Sequence, residues 1–256
     1  MSDQDRGKDV PLAPGLPPGV GERKLPKRFY KEAAAAPAGK GLFRIELDGR
    51  PVRTPGRNLV AVPSEVLAQA LAAEWQSQGE LIDPVSMPMT RLVNSALDGV
   101  ASAMEEVAGE IARYAGSDLL CYRADSPEKL VALQGALWDP LLDWAREAFG
   151  AVFVLSEGVR FVDQPERTLA AIAGALPEEP LRLAALSLMT TLGGSAVIAL
   201  AVARGRLTAE EAWRAAHADE EVQEELWGSD AEALARRATR FRDFEAAARL
   251  TALLER

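Results

Sequence analysis

The first patterned stretch of the chain alternates with a period of two. Phe43, Ile45 and Leu47 are apolar, while Arg44 and Glu46 between them are charged, as in a strand with one buried face. Asp48-Gly49 follows, a pair that accepts positive φ at both positions, so Leu42 to Thr54 is expected to form a β-hairpin. Pro51 has no N–H for a ladder, which places the returning strand at a sheet edge. Leu59 to Val62 predicts another short strand. Ser64 reads as the N-cap of a helix with Leu67, Leu71 and Trp75 on its apolar face, running to about Gln78 and stopping at Gly79.

Leu81 to Met89 is irregular, with Pro84 and Pro88. At Thr90 the pattern turns helical, with Leu92, Val93, Ala96, Leu97 and Val100 as its apolar positions. Ser126-Pro127 predicts an N-cap followed by proline at the first helical position. That helix carries Leu130, Leu133, Leu137, Trp138, Leu141 and Trp144, and ends at Gly150. Ala151 to Leu155 and Val159 to Val162 predict a small hairpin around Glu157-Gly158. Further helices are expected from about Glu166, Leu181 and Ser195. Thr208 with Glu211, and Ser229 with Glu232, have capping-box spacing, which predicts two antiparallel helices joined at Trp227-Gly228. The chain is therefore expected to be α+β. A flexible arm spans 1–21, and a small β-rich domain with one or two helices spans 22–89. A larger helical domain with a small hairpin spans 90–256.

Charge and composition narrow the function. The 256 residues carry a formal net charge of -9, and no basic stripe or aromatic platform interrupts it, which argues against nucleic acid as a partner. Cys121 is the one cysteine, so no internal disulfide can form and a reducing compartment fits. Flanked by Leu119, Leu120 and Tyr122, it reads as a small packed hydrophobe. Residues 1–21 contain Asp3, Asp5, Asp9 and four prolines, unlike a signal or transit peptide. Leu183 to Ala203 lacks charge and has the length of a membrane span. Gly193-Gly194-Ser195 divides it, however, and two short buried helices are expected instead of membrane insertion.

Candidate chemistry is sparse. His217 is the only histidine, near Asp219 and Glu220 with Glu221 at i+4. One histidine without a second His or Cys makes a poor metal site, and a solvated helical side chain is the expectation. Gly193-Gly194-Ser195 is neither G-x-S-x-G nor a phosphate loop. A hydrolase using Ser195 and His217 is the enzyme alternative, and an adaptor for some other protein is a further one. The acidic run offers more. Asp219, Glu220, Glu221, Glu224, Glu225, Asp230 and Glu232 have no Lys or Arg among them between Arg214 and Arg236. Like charges at i,i+4 destabilise a helix, so the run is either a solvated face or a surface kept negative for a basic partner. Trp227, at the expected helix–helix turn, is a candidate exposed anchor.

Several segments taken in order resemble the mitochondrial and bacterial family of chaperones for the alpha subunit of F1 ATP synthase. These are Lys27-Arg28-Phe29-Tyr30 with Leu47-Asp48-Gly49-Arg50 and Thr54-Pro55, then Pro63-Ser64, Leu67-Ala68, Glu74-Trp75 and Gln78. Met87-Pro88-Met89-Thr90-Arg91-Leu92 follows, with Asn94 and Asp98. Next come Asp118-Leu119-Leu120, Tyr122-Arg123, Gln134 and Trp138-Asp139-Pro140-Leu141, and last Asp219-Glu220-Glu221, Gln223, Trp227-Gly228 and Asp230. Met89 and Ala96 depart mildly from the pattern, and the N-terminal arm falls outside it. The resemblance implies a β-rich N-terminal domain, a helical C-terminal domain and no catalytic activity, cofactor or metal. It further implies binding to the free alpha subunit at its beta-facing surface, and a monomer is expected because that binding surface must be free. The location implied is cytoplasmic in a bacterium and the mitochondrial matrix in eukaryotic relatives. The resemblance points to the acidic segment around Glu220, Glu221 and Gln223 as client-binding, and Glu224 and Trp227, taken from the acidic run and the expected helix–helix turn, complete the candidate set.

Overall fold

The structure is a computed structural model and describes residues 25–158, 160–228 and 230–255. The arm expected over 1–21 lies outside them. A four-stranded antiparallel sheet comes first. Strand β2 (Leu42–Leu47) is central, with β1 (Ala33–Gly39) on one side and β3 (Arg50–Pro51) and β4 (Ala61–Val62) on the other. The predicted hairpin is β2–β3, and Pro51 sits on its short outer strand. Asp48 and Gly49 turn it with φ of +46° and +76°. The Asp48 carboxylate also accepts from the backbone N–H groups of Glu32 and Lys31, at 2.9 and 3.1 Å, and these hold its pKa below the usual carboxylate range. Strand β1 has no counterpart in the expectation. Four alanines have weak strand preference, and it is pairing with β2, Ala33 to Leu47 through Pro37 to Phe43, that makes them a strand.

Helix α1 (Glu65–Gln76) packs on β1 and β2, with Ser64 as the expected cap, its Oγ accepting from Leu67 N. Arg28 ties the incoming chain to the end of this helix. Its guanidinium donates to the carbonyls of Gln76, Gln78 and Lys31 and lies 4.7 Å from the Tyr30 ring centre.

Helix α2 (Pro88–Asp98) starts two residues before the expected Thr90, with no capping side chain of its own. Glu74 of α1 supplies the cap. Its carboxylate accepts from Met89 N, Thr90 N and Thr90 Oγ at 2.9, 2.7 and 2.7 Å. Burial raises its pKa, opposed by those three donors. Glu74→Ala is expected to cost about 2 kcal/mol, the loss of a cap plus stranded buried donors. A lowered urea midpoint with an unchanged slope would show it, and an unchanged midpoint would contradict it.

The remaining elements are helices α3 (Met104–Ala115), α4 (Glu128–Phe149), α5 (Glu166–Ala173), α6 (Pro180–Gly193), α7 (Ala196–Ala203), α8 (Ala209–Ala216), α9 (Ala218–Trp227) and α10 (Ala231–Leu254), with a two-residue pair β5 (Tyr122–Arg123) and β6 (Ser156–Glu157). The α6–α7 break is as expected. Gly194 ends α6 at φ +68° and Ser195 Oγ caps α7 through Ile198 N. Residues Ala196 to Val202 are all buried. Among the described residues no helix is long and apolar enough to cross a membrane. The core runs from the Ile45–Leu67–Leu71 layer under the sheet to α6, α7 and Phe244 of α10.

Four local expectations are corrected. Pro127 occupies the N-cap of α4 and Ser126 turns to Asp125 instead. The chain does turn at Gly158, φ +72°, but Ser156–Glu157 pairs in parallel with Tyr122–Arg123 and not with the residues that follow. Val159 lies outside the described residues. The segment after Thr208, expected as one helix to Trp227, is two, because the backbone leaves helical geometry at His217 with φ -126° and ψ 32°. Helix α10 is capped by Asp230, whose carboxylate accepts from Glu232 N and Ala233 N. Ser229 lies outside the described residues.

Candidate functional site

The acidic run is helix α9. Its start is fixed by a buried aromatic step. His217 is 4% exposed. Its ring lies 3.9 Å from that of Trp213, and Nδ1 meets the Trp213 carbonyl at 2.9 Å. The expectation of a solvated histidine is thus corrected, because the helix break at residue 217 turns the ring inward. Burial pushes its pKa below the ordinary histidine range. Ser195 is also buried, its hydroxyl occupied by the α7 cap and by Asp118.

Ala218 and Val222 are the buried residues of α9, so the helix shows its other faces to solvent. Its carboxylates do not form one continuous negative surface. Arg214 of α8 binds Glu221 through two hydrogen bonds of 2.9 Å, which hold that carboxyl below its usual range. Arg237 of α10 binds Glu224 at 2.8 Å, and Lys129 of α4 pairs with Glu225. Asp219 accepts from the Gln134 amide at 2.8 Å. Glu220 is exposed and makes no ion pair among the described residues. The bases missing from the local sequence arrive from three other helices, so the reading of an uncompensated run is corrected.

Two features remain on this helix. One is a cleft of about 240 Å³ between α4, α8 and α9, lined by Leu119, Trp138, Ala216, Asp219, Glu220 and Gln223. The other is its far end, where Trp227 is 85% exposed beside Leu226 at 59%. Leu234, also exposed, follows on the first turns of α10. The structure thus puts all five sequence-derived candidates on α9. Glu220 and Gln223 border the cleft, Glu221 and Glu224 are engaged in ion pairs, and Trp227 forms the end. Leu226 and Leu234 were not among the candidates. Their exposure follows from where α9 stops and α10 starts, which the apolar pattern does not report. Among the described residues no group of His, Cys, Asp and Glu could hold a metal.

The protein-family comparison matches residues 27–146 to the family described as ATP12 chaperone protein. The solved structure of Atp12 from Paracoccus denitrificans is 40% identical, with a TM-score of 0.83 over 90% of this chain and 98% of that one. The chain belongs to the ATP12 chaperone family. Its fold, a small sheet followed by helices, is that of the Atp12 structures. Atu1473 from Agrobacterium tumefaciens is 51% identical, with a TM-score of 0.86 over 90% of this chain and 87% of that one. The mitochondrial protein atp12 of Schizosaccharomyces pombe is 26% identical over 216 residues, 79% of this chain and 74% of the relative. The ATP12 family match ends within α4, so α9 lies beyond it, while the structural likeness covers most of both helical and sheet regions.

Proposed function

We propose that this ATP12-family chain is an assembly chaperone for F1 ATP synthase, not an enzyme. It binds the unassembled alpha subunit and covers its beta-facing interface until beta displaces it. The observation that carries the reading, beside family membership, is the α9–α10 turn. An 85% exposed tryptophan and two exposed leucines sit there, and Glu220, which makes no ion pair among the described residues, lies about two turns earlier on α9. Exposed aromatic anchors flanked by charge are what protein interfaces use. Glu220, Gln223 and Trp227 are assigned to client contact. Glu221 and Glu224 are assigned to holding α9 in place through Arg214 and Arg237. The location that fits is the compartment where F1 is assembled, with the chaperone acting as a monomer whose α9 face is free.

The physical need is clear. A subunit of an obligate complex exposes a large apolar interface and aggregates when alone. A holding chaperone must then yield. Displacement at equal concentrations needs beta to bind about 100-fold more tightly, about 2.7 kcal/mol. The test is light scattering from purified alpha subunit on heating without ATP. Suppression at near-equal molar ratio, reversed by added beta subunit, is expected, and Trp227→Asp should remove it while leaving stability within about 0.5 kcal/mol, as for other exposed positions. Unchanged scattering with wild-type protein, and no complex on a sizing column, would refute the client.

A further inference from the structure

We infer that the cleft beside α9 receives one arginine side chain of the client, paired by Glu220. The inference rests on the client-holding role proposed above and names the chemistry it uses. Charge is the first argument. Glu221, Glu224 and Glu225 are each neutralised from within the chain by Arg214, Arg237 and Lys129. Asp219 is held by the neutral Gln134 amide, and Glu220 makes no ion pair among the described residues. The negative charge left over on this helix therefore borders the cleft, and a cation is the complementary occupant.

Size and lining are the second argument. At about 240 Å³ the cleft is below the range of roughly 300–1,000 Å³ in which drug-sized ligands are held. It suits a single side chain. Leu119, Trp138 and Ala216 give it apolar walls, and Asp219, Glu220 and Gln223 a polar rim. A guanidinium is flat and weakly hydrated, and it meets a carboxylate with two parallel N–H donors. A lysine ammonium is strongly hydrated and gains less from apolar walls. The lining favours arginine.

The test uses the full chain, ¹⁵N-labelled, with Nα-acetyl-arginine amide as the probe and the citrulline analogue as its neutral isostere. The expected result is saturable shifts confined to the Trp138 indole N–H, the Gln223 side-chain amide and the Ala216 backbone amide. They should be absent with citrulline and absent in Glu220→Gln. Gln223→Arg should also abolish them by supplying an internal guanidinium, and this exposed variant tests the cleft without touching the core. Both variants should weaken client binding about tenfold, mainly through faster dissociation. Shifts scattered over the surface, equal shifts with citrulline, or a Glu220→Gln protein that binds client normally would overturn the inference while leaving the chaperone reading intact. Wild-type protein that shows the arginine shifts but binds no alpha subunit would sink the client assignment and keep the cleft.

Discussion

Asp118→Ala is expected to lower the unfolding free energy by about 3 kcal/mol or more, because it strands several buried donors at once. The Asp118 carboxylate is fully buried and joins two parts of the chain. One oxygen accepts from Leu120 N at 3.1 Å and the other from Val197 N at 3.2 Å. The Ser195 hydroxyl and Ala196 N also point to it. It therefore sits at the N-terminus of α7, where exposed N–H groups and the helix dipole favour an anion. Leu119 N adds a bond to the Gly194 carbonyl at 3.1 Å. The replacement would free α7, the most apolar helix of the core, from the segment that leads into α4. Urea unfolding measures the cost. A loss below about 1 kcal/mol, the scale of one ordinary hydrogen bond, would show that the carboxylate is not the join.

The same residue carries a pH signature. Burial pushes its pKa up to about 6, opposed by the Ser195 and backbone donors. The folded state then holds a proton between pH 4 and 6 that the unfolded chain releases near its ordinary value of about 3.9. Stability rises with pH only where the unfolded state binds more protons. Here the folded state binds more, so this group's contribution falls as pH rises from about 4 to about 6 and is level above. The difference between wild type and Asp118→Asn, measured by urea midpoint across that window, should show this slope. A flat difference would mean that the donors outweigh burial.

Local signals explain most of what the sequence revealed. The β2–β3 turn was legible because alternation and Asp48-Gly49 agree over ten residues. Ser64, Thr208, Ser195, Gly150 and Gly194 were legible because a cap acts within three or four residues of its own helix end. The capping box of Thr208 and Glu211 forms with both of its bonds. What stayed hidden depends on residues far apart in sequence. Four alanines became a strand only through β2. His217 was expected on the surface because its burial depends on Trp213 and the break between α8 and α9. The neutralisation of charge on α9 is hidden for the same reason, since Lys129 meets Glu225 across 96 positions. Many residues that carried the family resemblance turn out to be such distant joins. Glu74 caps α2, Asp118 accepts from Val197 N in the first turn of α7, and Gln134 binds both Ala124 N and Asp219. Asp98 accepts from Gly56 N and the Asn58 amide, closing the loop before β4. Cys121 shows the simpler case. It is buried as expected, and burial with the nearby Asp118 charge pushes its thiol to about 12, where it is inert.

Trp138 is where fold and candidate site meet, and its two replacements should separate the two. The ring is 1% exposed. Its Nε1–H donates to the Ala215 carbonyl at 2.8 Å, one of the carbonyls left without a partner at the end of α8. The Arg123 guanidinium lies 5.3 Å from the ring centre and pairs with Asp139 at 2.7 Å. Trp138→Ala is expected to cost about 3–5 kcal/mol, the usual range for an aromatic removed from a core. Trp138→Phe keeps most of the packing but leaves the Ala215 carbonyl buried and unpaired, worth about 1–3 kcal/mol. Both follow from urea unfolding with the slope as a control. The phenylalanine variant is the informative one. The indole holds the last turn of α8, and α8 sets the angle at which α9 leaves His217. Loss of the bond should therefore move α9 and reduce client protection at temperatures where the protein is still folded. Full client protection by a destabilised Trp138→Phe protein would instead mean that α9 is held by its ion pairs to Arg214, Arg237 and Lys129 alone.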